Sequence, residues 1–206
     1  MYRLPDDVTI VKGWATGGHL SHTKDESQVP TRLSYNNGII EWGFSISENE
    51  KPVEWFKLLM LEKEDLLKYL KKPSERVDAA RASLHAAGKT ASQAVADYLK
   101  LLWKHALFEM EQNYGVSGMR YPFKVAMTVP AIWPQYAVTR MYKAATAAGI
   151  LAKRTGITDT SLVIVTEPEC YGLEVQGSLG RWIVDPDFPD GSPEIHRLPL
   201  TAILPF

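Results

Sequence analysis

The sequence predicts an α/β chain, and two observations point there. Residues 123–172 repeat one pattern twice: an apolar run, a proline-marked turn, then a helical segment. Residues 123–129, interrupted only by Lys124 and Thr128, and residues 161–165 are valine-rich runs of the kind buried on both faces of a sheet. Between them, Val138, Met141, Tyr142, Ala145 and Ala148 recur at helical spacing. Two strand-to-helix units in succession imply a parallel sheet with crossover helices, whose ligands sit outside the carboxyl ends of the strands.

Composition narrows the function classes. At 206 residues and 45% hydrophobic content the chain is long enough for one large domain or two small ones. A net charge of −1 gives no reason to expect nucleic acid or an anionic membrane surface as partner. The single cysteine, Cys170, excludes an internal disulfide, fits a reducing compartment and reads as a small buried hydrophobe. Residues 1–10 hold Asp6 and Asp7 and no apolar core, so no signal peptide is expected, and no run reaches the roughly 18 apolar residues of a membrane span. The expectation is a soluble cytoplasmic protein.

Taken in order, residues 7–11 read as a short strand and residues 14–28 as a polar loop with a glycine pair. Residues 28–35 begin a second strand, Asn36-Asn37-Gly38 form a turn that tolerates positive φ, and residues 39–46 return as a strand. Lys57 lies among Trp55, Phe56, Leu58 and Leu59, where a lysine either snorkels to the surface or meets an anion. Residues 61–76 read as a charged amphipathic helix with Leu66, Leu67 and Leu70 on one side, and the alanine-rich residues 77–88 as helix or loop. Gly88-Lys89-Thr90 is not a phosphate loop, because Ser83 stands where the motif needs glycine and no strand precedes it. Thr90 with Gln93 is a capping box instead. It opens a helix whose stripe is Val95, Tyr98, Leu99, Leu102, Trp103, Ala106, Leu107 and Met110, opposite Asp97, Lys100, Lys104 and Glu111. His105 beside that stripe is structural, and His19 with His22 lacks the further ligands a metal needs. Pro134 suits the first position of the next helix, Gly149 its C-terminal cap with Ile150 behind, and Glu167-Pro168 the start of another. Residues 173–206 carry five prolines in loop-like sequence and are expected to be a poorly ordered tail, with Asp185 and Asp187 in a turn rather than a paired-carboxylate site.

AMTVPAIW, a helix ending AAGI, a strand and then TEPE together resemble the ATPase domain of the seventy-kilodalton heat-shock chaperone family, closest to its divergent eukaryotic relatives. VPTRLSY and WGFSI resemble the opening of the same lobe. The resemblance covers residues 7–172. It implies a ribonuclease-H-like, actin-like lobe I, with a helical insertion at about residues 52–115, that lacks the first phosphate-loop hairpin and lobe II. The chain is expected to begin after its first phosphate loop.

The same resemblance implies a set of chemical roles. Lys57 matches the cleft lysine directed at the γ-phosphate and attacking water, and Glu167 the carboxylate that helps hold the metal's water shell. Pro130 matches the proline of the interlobe relay. The relay arginine falls by strict offset on Val138, with Arg140 two positions later. Tyr171 and Gly172 replace small alanines at the lobe crossing. Phosphoryl transfer relies on donors that hold phosphates and Mg²⁺, and both glycine-rich phosphate loops of the family are missing. The expectation is therefore a partial ATP-binding domain of a heat-shock-seventy-like chaperone. ATP and Mg²⁺ are bound and hydrolysed in the full-length parent, with little or no turnover by this chain and with a client protein or co-chaperone as partner. The alternative is a non-catalytic protein-interaction module or a truncated gene product.

Overall fold

The computed structural model describes residues 11–16, 23–25, 28–36, 38–70, 74–118, 123–154, 160–166 and 201–202. Small sheets lie beside helices, a mixed α/β arrangement as the sequence predicts. The chain divides into two compact units, one of residues 11–119, 133–150 and 205–206, the other of residues 1–10, 120–132 and 151–204.

The larger unit begins within the expected polar loop, where β1 (Trp14–Ala15) pairs antiparallel with β2 (Thr23–Lys24). The strand expected at residues 7–11 lies almost wholly outside the described residues, and Val11 itself is in no strand. β3 (Leu33–Asn36) and β4 (Ile39–Trp42) form the expected hairpin around Gly38, at φ +80°. The second strand ends four residues earlier than expected, because Gly43 takes φ +55° and starts a 3-10 turn over Gly43–Ser45. The Ser45 hydroxyl closes that turn, accepting from the Trp42 N–H at 3.0 Å and donating to its carbonyl at 2.6 Å.

The helix expected over residues 61–76 is two helices, α1 (Lys63–Leu70) and α2 (Glu75–Ala86). The interval contains Pro73, which lacks the N–H a continuous helix would need. In α1, Leu66 is buried while Leu67 is exposed, so the expected leucine face is narrower. α2 ends on Gly88 at φ +64°, with the Lys89 N–H reaching back to the Leu84 carbonyl at 2.9 Å, which meets otherwise unpaired helix carbonyls.

α3 (Ala91–Gly118) opens on the predicted capping box: the Gln93 N–H donates to Thr90 Oγ1 at 3.2 Å, and the Thr90 N–H to Gln93 Oε1 at 2.8 Å. The helix is broken at Gly115, φ +68°. Of its predicted stripe, Val95, Tyr98, Leu99, Trp103, Ala106 and Met110 are buried, with Leu102 and Leu107 at the margin. Asp97 departs from the expected solvated face: it accepts from the Lys89 ammonium at 2.8 Å and the Tyr35 hydroxyl at 3.1 Å, tying α3 to β3. His105 is structural as expected, its ring 4.6 Å from that of Trp14 and one ring nitrogen 2.9 Å from the Lys12 carbonyl. α4 (Gln135–Ala147) packs along α3, burying Ala137, Met141, Ala144 and Ala145. Pro134 stands one residue before the first helical position expected of it, extended at φ −68° and ψ 153°, while Gly149 (φ +86°) ends the helix with Ile150 buried behind, as predicted. Tyr142, expected on the buried stripe, is exposed.

One buried phenol, Tyr98, and one half-buried phenol, Tyr35, make this unit sensitive to alkali. Burial pushes the Tyr98 hydroxyl up to about 12. Burial, then the neighbouring Asp97 charge, also raises Tyr35 well above its ordinary value. Both groups hold their protons more tightly folded than unfolded. The stability they bring is complete below the unfolded value of about 10 and is lost as pH rises from there through about 12. Urea unfolding should give a free energy lower by about 1–3 kcal/mol at about pH 11 than at about pH 8. An unchanged midpoint would contradict the burial of the Tyr98 hydroxyl and the partial enclosure of Tyr35.

The smaller unit is a parallel sheet in the order β6-β5-β7: β5 (Lys124–Val129), β6 (Ser161–Thr166) and β7 (Thr201–Ala202). β5 and β6 pair in parallel from Lys124 with Ser161 through Val129 with Thr166, the arrangement two strand-to-helix units predict. β5 is the central strand, and Val125, Met127, Thr128 and Val129 are buried, which explains its nearly unbroken apolar run. β7 falls in the stretch expected to be a poorly ordered tail, its two residues alongside Ala126 and Met127. The helix expected from Glu167-Pro168, together with Cys170, Tyr171, Gly172, His19, His22, Trp182, Asp185 and Asp187, lies outside the described residues. Among the described residues no helix is long and apolar enough to cross a membrane.

Candidate functional site

The larger unit holds one arrangement with chemical potential, the short segment that carries Lys57. Its approach is fixed by a bridge to β3: the Leu33 N–H donates to the Val53 carbonyl at 3.0 Å, and the Val53 N–H to the Leu33 carbonyl at 2.7 Å. Two residues on, Trp55 takes φ +60°, where it is the one non-glycine residue with positive φ among those described. A bulky side chain in that region costs roughly 1–3 kcal/mol and persists only where surrounding packing imposes it. The packing is present. Phe56 is 1% exposed, and Leu58, Met60 and Leu61 are buried in turn. Trp55 itself remains half-exposed, with the Arg76 guanidinium 5.5 Å from its ring centre.

Lys57 follows at the start of the 3-10 turn Leu58–Met60, and it is 2% exposed. The side chain does not snorkel to the surface but is enclosed. Its ammonium lies 5.3 Å from the centre of the Trp133 ring, close enough for a cation–π attraction. Trp133 is also buried, and its indole N–H has no acceptor among the described residues. A buried N–H donor without an acceptor is destabilising by about 1–3 kcal/mol.

The far side of the turn is held by α4. Arg140 donates from Nη1 to the Met60 carbonyl at 2.8 Å and from Nη2 to the Glu62 carboxylate. Its guanidinium lies over the Tyr136 ring, 4.9 Å from the centre. The Tyr136 hydroxyl accepts from the Glu62 N–H at 2.9 Å and donates to Asp65 Oδ2 at 2.8 Å. The Lys68 ammonium, and after it the Tyr136 hydroxyl, hold the Asp65 carboxyl below the usual carboxylate range.

Of the site residues expected from sequence, Lys57 and Arg140 thus meet around one turn. Pro130 follows β5 in the smaller unit, half-buried, and Glu167 lies outside the described residues. The sequence reading missed Trp133, Tyr136 and Glu62 at this site. Trp133 closes the AMTVPAIW segment, but nothing in spacing connects it with Lys57, 76 positions earlier in the chain. Among the described residues no group of His, Cys, Asp or Glu could hold a metal ion. Comparison with family models, curated proteins and solved structures finds no match for this chain.

Proposed function

We propose that this chain carries part of the first lobe of an actin-like, heat-shock-seventy-type ATP-binding domain, with Lys57 as the cation that meets the nucleotide phosphates. The observation that carries the reading is the enclosed ammonium of Lys57 beside the buried Trp133 indole N–H. The resemblance of residues 7–172 to that family supports it independently, and the parallel pairing of β5 with β6 is compatible with such a lobe. Among the described residues the donors suit a phosphate oxygen and no group of His, Cys, Asp or Glu could hold a metal ion, so Mg²⁺ is read as arriving with the nucleotide. Lys57 neutralises phosphate charge in a site shielded from water, where a single cation acts more strongly than at the surface. Binding without appreciable turnover is the expected activity of this chain.

Thermal unfolding with and without ATP–Mg²⁺ tests the reading. At nucleotide about tenfold above its dissociation constant the folded chain gains about 1.4 kcal/mol. For a chain of this length that raises the midpoint by about 3–6 °C. An unmoved midpoint at millimolar ATP–Mg²⁺ would oppose it. Saturable capture of a protein partner, indifferent to nucleotide, would replace it with the interaction-module reading.

A further inference from the structure

The segment that carries Lys57 combines a left-handed Trp55 at φ +60° with a lysine ammonium only 2% exposed, over the Trp133 ring. The backbone strain at Trp55 is relieved if the segment swings outward, which would also carry the lysine out of its enclosure. Something must hold both ends. At the start, the two hydrogen bonds between Val53 and Leu33 fix the chain to β3. At the end, the turn closes through the Met60 N–H and the Lys57 carbonyl at 3.0 Å, and the Met60 carbonyl is then taken by Arg140. The next polar backbone group along, the Glu62 N–H, is taken by Tyr136. Both holding side chains stand on one helix, α4, and the arginine lies on the tyrosine ring, so they act as a pair.

We propose that Arg140 and Tyr136 are positioning residues for Lys57, clamping the turn Leu58–Met60 so that the lysine ammonium stays enclosed over Trp133. Arg140 acts on Lys57 through the Met60 carbonyl, and Tyr136 through the Glu62 N–H. The bearing of this clamp on ligand binding rests on Lys57 being the phosphate-facing cation; its effect on the placement of Lys57 does not.

The test is lysine acetylation of the full chain by a small acylating reagent without nucleotide, followed by mass spectrometry. The quantity read is the rate at Lys57 relative to Lys104 and Lys143, both exposed. Arg140→Ala should raise that ratio at least about tenfold by favouring local opening. Tyr136→Phe, which keeps the ring beneath the guanidinium, should raise it by less. Arg140→Lys, which keeps a donor for the Met60 carbonyl, should return the ratio at least half way. An unchanged ratio in both Arg140→Ala and Tyr136→Phe overturns the clamp. So does a rise shared equally by all lysines, which reports general loosening. If Arg140→Ala does not fold, the ratio in Tyr136→Phe decides alone, a rise supporting the clamp and no change overturning it. Because no nucleotide is present, a chain that binds none defeats the functional reading and leaves this result readable.

Discussion

Phe56→Ala lowers the unfolding free energy by about 3–5 kcal/mol, the range for deleting a buried aromatic side chain. Phe56 is 1% exposed and packs with its ring centre 6.0 Å from that of Tyr98 on α3. It stands between strained Trp55 and enclosed Lys57, so it anchors the segment where the backbone is least willing to stay. A cavity there removes both the transferred apolar area and the support that imposes the left-handed tryptophan. Urea unfolding followed by circular dichroism measures the loss. A change below about 1 kcal/mol would place Phe56 outside the core. The Trp55→Gly substitution in the Phe56→Ala background should recover part of the loss, since glycine adopts positive φ without strain.

Gly43→Ala is the second large effect, about 2–5 kcal/mol, from two causes that add. At φ +55° an alanine is strained by about 1–2 kcal/mol. A Cβ at that position also runs into the Cγ2 methyl of Val29, which is itself buried. The Gly43 N–H donates to the Arg32 carbonyl at 3.1 Å, and its own carbonyl accepts from Arg32 Nε at 2.7 Å. Overpacking of this kind costs about 1–3 kcal/mol. Gly38→Ala separates the causes. Gly38 has φ +80° but open space where a Cβ would go, so it should show the strain without the collision. Equal losses in the two variants, read from urea midpoints at unchanged slope, would contradict the contact with Val29.

The features legible in the sequence are those whose cause is local. Thr90 and Gln93 are three positions apart, so the capping box is visible in the chain itself. Gly149 and Ile150 mark a helix end for the same reason, and the valine-rich run of β5 states its burial directly. The same pattern misleads in β6, where Val163 is exposed and the other residues are at most half-buried. The end of β4 was hidden because it depends on the left-handed turn at Gly43 and on the closeness of Val29 there, which spacing does not reveal. Asp97 read as a solvated helix position because its partners Tyr35 and Lys89 come from the β3 hairpin and the turn before α3. At the site the sequence singled out Lys57, a cation among apolar neighbours, and left its surroundings open. Arg140 meets the Met60 carbonyl across 80 positions and Tyr136 meets the Glu62 N–H across 74, and tertiary packing alone creates such pairs. The strain at Trp55 is likewise invisible in composition, since nothing about the residue itself asks for positive φ.

The central claim is that Lys57 is a phosphate-facing cation, and isothermal titration with ATP–Mg²⁺ measures it directly. The wild-type chain should release or absorb heat saturably within the millimolar range. Lys57→Ala, shown to be folded by circular dichroism, should bind at least about tenfold more weakly, a loss of about 1.4 kcal/mol or more. Equal affinity in the two proteins, or no heat from a folded wild-type sample up to millimolar nucleotide, would contradict the account.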